Sequence, residues 1–125
     1  MSRNTAMALS ALIAVYLGGC AGSGGNVSNV RGAALAIDYG DPKSKVLDVL
    51  GTPGDRSFSG TDEAWQYCST GWSKDTYLTV WFSEATVIGI TSKDAMLVTG
   101  LCDLEYQTVD WGQRPADKKI DININ

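Results

Sequence analysis

Apolar and polar positions follow three different rhythms along this chain. From Ala6 to Leu17 the run is apolar with a single interruption at Ser10. Between Gly40 and Pro53 the apolar residues Val46, Leu47, Val49 and Leu50 recur at the spacing of one helical face. Asp41 is expected to cap that helix through its carboxylate, and Pro42 suits the first helical position because its missing amide would have no partner there. Gly51 can adopt the positive φ that ends a helix, and Pro53 forbids its continuation. Upstream, Ala33-Ala34-Leu35-Ala36-Ile37 is apolar without a clear period and fits a first helix or an extended segment equally well.

Beyond Pro53 the period changes to two. Ala64 to Cys68 alternates, Tyr77 to Phe82 is dense in β-branched and aromatic residues, and Val87 to Thr91 follows after a short connection. These predict three strands of an antiparallel meander, with turns at Ser69–Asp75 and Ser83–Thr86. Leu104 to Trp111 is a candidate fourth strand. Ile120-Asp121-Ile122-Asn123-Ile124-Asn125 alternates isoleucine with polar residues and predicts a terminal strand with one buried face. The expected fold class is α+β, with one or two short helices packed on a three- to five-stranded antiparallel sheet.

The apolar run near the start has its own meaning. Arg3 precedes it, and it ends in Leu17-Gly18-Gly19-Cys20. A charged start, a short apolar segment and small residues at the cut make a secretory signal, and a membrane-spanning helix would need about 20 apolar residues. The cysteine directly after the small pair resembles the lipobox of bacterial lipoproteins. That resemblance implies cleavage after residue 19, lipidation of Cys20 and anchorage in a membrane. Ala21 stands where an aspartate would favour the inner membrane, so the expected address is the periplasmic face of the outer membrane. Residues 1–19 are thus expected to be a signal peptide and residues 20–31 a lipidated N-terminus and flexible tether rich in glycine and serine. Residues 32–125 remain for one small domain.

With Cys20 assigned to lipid, Cys68 and Cys102 remain as a pair, and an oxidising periplasm predicts a disulfide between them. A metal site is not expected, since the chain has no histidine and the two cysteines form no CxxC pair. No cofactor is expected either. Catalysis would need a base, a nucleophile or a metal, and the sequence has neither a Gly-x-Ser-x-Gly elbow nor a phosphate-cradling glycine loop. The expectation is a protein that is not an enzyme and takes no small-molecule substrate. Loss of Arg3 with the signal leaves 9 basic against 14 acidic residues, which does not favour nucleic acid as a partner.

Aromatic residues point instead to a protein partner. Trp65, Trp81 and Tyr77 sit in strand patterns and are expected in the core between helix and sheet. Trp72 lies in a polar turn, and Trp111 borders Gly112-Gln113-Arg114-Pro115. Tryptophan and arginine are the residue types that most often anchor interfaces, so Trp72, Trp111 and Arg114 are the candidate partner surface.

One further pattern combines these elements. Gly40, Val46, Leu50, Gly51 and Pro53, then Trp65 and Tyr67, then Leu78-Thr79-Val80-Trp81-Phe82 and Val87-Ile88-Gly89-Ile90 resemble the core of the BamE family of small lipoproteins, also called SmpA/OmlA. The resemblance covers about residues 38 to 92. It implies a two-helix layer on a three-stranded antiparallel sheet, and a structural or accessory role in outer-membrane protein assembly. The cysteine pair and the extension from Cys102 to Asn125 stand outside that pattern. The compact layout is also similar to that of β-lactamase inhibitor proteins, which implies the alternative of a periplasmic binding or inhibitor module.

Overall fold

The computed structural model describes residues 28–96, 99–102, 104, 106–116 and 119–121. The proposed signal peptide, Cys20 and residues 122–125 of the expected terminal strand lie outside the described residues.

Helix α1 spans Val30–Ala34, and the Asn29 side chain caps it by accepting from the Gly32 amide. The folded part therefore starts slightly ahead of residue 32, because Val30 is fully buried. Helix α2 spans Lys43–Leu50. Its cap differs from the expected one. Asp41 does not serve the first turn; its carboxylate accepts from the Asp38 amide at 2.8 Å. Pro42 takes the capping position in an extended conformation and forms a β-bridge with Thr86. At the other end Gly51 has φ 76°, and its amide donates to Leu47 O. Val46 and Leu50 are buried, whereas Leu47 turns outward.

The sheet order is β1 (Asp55–Ser59), β2 (Asp62–Thr70), β3 (Lys74–Ser83), β4 (Thr86–Met96) and β5 (Lys119–Asp121). The first four strands are antiparallel neighbours, as expected for this class. The fifth runs parallel to β4, pairing Lys119–Asp121 with Gly89–Thr91. The candidate strand over Leu104–Trp111 is not one. Its described residues form an irregular segment that ends in a short 3-10 helix, Trp111–Gln113. Strand β1 has no counterpart in the sequence reading. Asp-Arg-Ser-Phe-Ser has no apolar alternation because an edge strand pairs on one side only and is mostly exposed here.

Both helices pack on one face of the sheet. Val30, Ala34, Ile37, Val46 and Leu50 meet Trp65, Tyr67, Leu78, Val80, Phe82, Val87 and Ile90 in one core. The register explains the grouping, since Trp65 faces Val80 and Tyr67 faces Leu78 across the β2–β3 pair. Alternation along strands then sends Ala64, Gln66 and Cys68 to the other face. That face is also covered, so every residue from Glu63 to Ser69 is buried.

A part-buried ion pair closes the helical layer over the sheet. Glu63 accepts from Lys43 on α2 and from the Trp65 indole. Lys43 also lies 5.6 Å from the Phe82 ring. Burial pushes the Glu63 carboxyl up, but the Lys43 and Trp65 donors outweigh it and hold the group below the ordinary glutamate range. A depressed folded-state value contributes stability above the unfolded value, about pH 4, and loses it as the pH falls through the folded value. Glu63→Gln is therefore expected to cost about 1.5–3 kcal/mol at neutral pH. The gap in melting temperature between variant and parent should narrow on acidification, as thermal melts across pH would read.

The β3–β4 turn holds Glu84 and Ala85 at φ 49° and 73°. Two-residue hairpin turns of the primed type need positive φ at both positions and favour asparagine and glycine there. Alanine in that region is strained by about 1–2 kcal/mol. Ala85→Gly is expected to stabilise the protein by about 0.5–1 kcal/mol net of the added chain entropy. A rise in melting temperature checks it.

Candidate binding surfaces at the two ends of the sheet

The second face of the sheet is covered by the chain's own last third. At one end Cys102 is bridged to Cys68 on β2, with Cα atoms 5.4 Å apart. Next, the Tyr106 ring meets Tyr77 edge-on at 6.2 Å. Gln107 accepts twice, at its carbonyl from Gln66 Nε2 (2.8 Å) and at its side chain from Lys93 Nζ (3.2 Å). Val109 then joins Ala64 and Trp81 in a second apolar cluster. The Trp111 ring stands edge-on to Trp81 at 5.6 Å. The path ends at Arg114, whose Nε lies 2.6 Å from Asp62 Oδ2 and whose Nη2 donates to Asp62 Oδ1. The described residues between Cys102 and Arg114 thus form a strap running along β2, from Cys68 near its end to Asp62 at its start.

Electrostatics favour the far anchor of the strap. A hydrogen bond from the Ser83 hydroxyl, followed by the Arg114 guanidinium, holds the Asp62 carboxyl below its ordinary range. At the near end Asp75 is fully buried and accepts from the backbone amides of Gly100 and Leu101 at 3.0 and 2.8 Å. Two amides converging on one buried carboxylate fix the entry to the strap, because a buried charge needs such donors.

The candidate partner residues fall in different places. Trp111 is half-buried against Trp81, and Arg114 is engaged with Asp62, so both have structural roles and lie together. Trp72 is fully exposed in the turn between β2 and β3. That turn lies at the opposite end of β2 from Asp62, about 25 Å away at the usual rise per strand residue. The three do not form one surface. Trp65 fills the core between helices and sheet as expected, whereas Trp81 is buried and Tyr77 half-buried on the opposite face, because strand alternation turns them toward Val109 and Tyr106 of the strap.

Other large apolar residues are exposed toward the same end of the sheet, on its two faces. Met96 pairs with Lys74 in the β3–β4 register, and Leu101 and Leu104 flank the bridged Cys102. Met96, Leu101 and Leu104 are all exposed. The sequence reading missed them because Leu101 and Leu104 sit in an irregular segment without periodicity. The signal available was their closeness to Cys102, which the disulfide brings to the end of β2.

Between strap and sheet lies a cleft of about 240 Å³, lined by Gln66, Thr79, Thr91, Lys93, Gln107 and Asp110 among others. Ligand clefts usually measure about 300–1,000 Å³. A more open hollow of about 510 Å³ lies by Tyr39, Glu84, Ile88 and Arg114. Among the described residues no group of three or more His, Cys, Asp or Glu side chains is placed to hold a metal ion. No family model, curated protein or solved structure matches this chain.

Proposed function

We propose that this protein is a lipid-anchored, non-catalytic accessory module of the bacterial envelope. Cys20 holds it on the periplasmic face of the outer membrane, where it serves a protein partner in envelope or outer-membrane protein assembly. The observation that carries this reading is the lipobox ending at Cys20, nine positions ahead of the helix cap Asn29. The bridged Cys68 and Cys102 support it, since disulfides persist in oxidising compartments such as the periplasm. Among the described residues no helix is long and apolar enough to cross a membrane, and the proposed lipid provides the attachment. The resemblance of residues 38 to 92 to BamE (SmpA/OmlA) lipoproteins supports an assembly role. Its key positions lie on β2, β3, β4 and α2 or, for Gly40, Gly51 and Pro53, in the segments flanking α2, and the strap is an addition to that pattern.

Two measurements test the reading. Cys20→Ser should move the protein out of the membrane fraction on cell fractionation, and retention there would mean that something else anchors it. In-cell crosslinking of the full lipidated chain, followed by mass spectrometry, should recover outer-membrane assembly proteins. Recovery of a soluble periplasmic enzyme would favour an inhibitor or binding module instead.

A further inference from the structure

The face of the sheet under the strap carries a polar row between two rows that hold aromatic rings. Gln66 on β2, Thr79 on β3 and Thr91 on β4 are register neighbours, so their side chains line up across three adjacent strands. Alternation turns this row toward the strap, on the same face as Trp81 and Val109. The row on one side runs Cys68, Tyr77, Lys93, and the row on the other runs Ala64, Trp81, Gly89. The strap closes on both flanking rows, through the Cys68–Cys102 bridge and the Tyr106 ring on the first, and through Val109 and Trp111 on the second. Over the polar row it leaves the cleft of about 240 Å³, which Gln66, Thr79 and Thr91 line.

Packing alone does not account for this gap. Protein interiors are filled to near crystal density, and a row of valines here would present a surface on which the strap could close. The row offers hydrogen-bonding groups instead. Gln66 donates its amide N–H to the Gln107 carbonyl at 2.8 Å, and Thr91 Oγ1 accepts from Trp81 Nε1 at 2.9 Å. The Gln66 side-chain oxygen, the Thr91 hydroxyl proton and the whole Thr79 hydroxyl have no hydrogen-bond partner among the described residues. None of these groups is sealed from solvent, so they remain open to whatever fills the cleft.

The charges beside the row are committed. Lys93 Nζ donates to Gln107 Oε1 at 3.2 Å, and Asp110 accepts from the Gly112 amide and Gln113 Nε2 at 2.9 and 3.3 Å. One cation and one anion also offset each other, so the lining does not select a phosphate or another strongly charged ligand. It is too polar for an acyl chain. What it matches is a small neutral molecule with closely spaced groups that both donate and accept, as sugar hydroxyls do. The space equals that of about eight water molecules, which suits one ring and is below the usual range for larger ligands.

We propose that this cleft binds a single ring of a neutral sugar. Its hydroxyls replace water on Gln66, Thr79 and Thr91, with Tyr77 and Trp81 on the two sides of the row. The site goes beyond the accessory role above and does not depend on the lipid at Cys20.

The test mixes the full oxidised chain with glucose, N-acetylglucosamine and the β-linked tetramer of the latter, and saturation-transfer NMR reads which sugar protons touch the protein. Transfer to ring protons is expected. Thr79→Val keeps the size and strand preference of the side chain and removes one hydroxyl, so binding should weaken about fivefold. Thr108 is exposed on the strap and lines the cleft, so Thr108→Trp should block the site without disturbing the sheet. Stronger transfer to the end ring of the tetramer than to the monomer would assign the cleft to a glycan chain, and equal transfer would assign it to a free sugar. No transfer to any of these sugars, equal transfer to glycerol, or transfer unchanged in both variants would overturn the site.

Discussion

Replacing Cys68 and Cys102 together with alanine is expected to lower the stability of the folded domain by about 3–4 kcal/mol. The bridge closes a loop with a sequence separation of 34, and cross-linking a loop of that size limits the freedom of the unfolded chain by about that amount. A small domain has only about 5–15 kcal/mol in total. The folded state also loses the tie that starts the strap, although Gln107, Trp111 and Arg114 keep their contacts with Gln66, Trp81 and Asp62. Urea titration of the full chain, compared with the oxidised parent, should show a lower midpoint. Limited proteolysis should show cleavage in the strap before cleavage in the sheet. An unchanged midpoint and an uncut strap would mean that Asp75 and the aromatic contacts hold this face without the bridge.

Phe82→Ala is expected to have a comparable or larger effect, about 3–5 kcal/mol. Phe82 is fully buried at the centre of the helix-on-sheet core. Its ring lies 4.7 Å from that of Trp65, and Lys43 Nζ, which donates to Glu63, sits over the Phe82 ring at 5.6 Å. Truncation removes apolar area and leaves a cavity that two short helices and a hydrogen-bonded sheet cannot close. It also unseats the Lys43–Glu63 pair, whose donors depend on that packing. Phe82→Leu keeps most of the volume and should cost less than about 1.5 kcal/mol. Thermal or urea unfolding of the two variants checks the ordering, and equal losses would show that volume at this position is not what matters.

The elements legible in the sequence were those whose pattern is local. Helix α2 ends where Gly51 and Pro53 place its end, and β2, β3 and β4 follow the apolar alternation of Ala64–Cys68, Tyr77–Phe82 and Val87–Thr91. What escaped depends on partners distant in sequence. Strand β1 is polar because only β2 supports it. Leu104–Trp111 carries Val109 and Trp111 not for a strand ladder but to seat side chains on Ala64 and Trp81. Asp41 looks like a helix cap by type and position, yet the neighbouring Asp38 amide takes its carboxylate. The Cys68–Cys102 pair was predicted by counting and compartment, and the structure joins it. Trp72, Trp111 and Arg114 were grouped by residue type, which carries no information on distance. The sheet separates Trp72 from the other two by nearly the length of β2.

The proposed envelope role depends on a lipid anchor at Cys20. Intact mass measurement of the protein purified from bacterial membranes tests it most directly. The expected mass is that of a mature chain that begins at Cys20, carries acyl groups on that residue and has Cys68 and Cys102 oxidised. A mass that matches an unmodified chain, or one cleaved elsewhere without lipid, would contradict it.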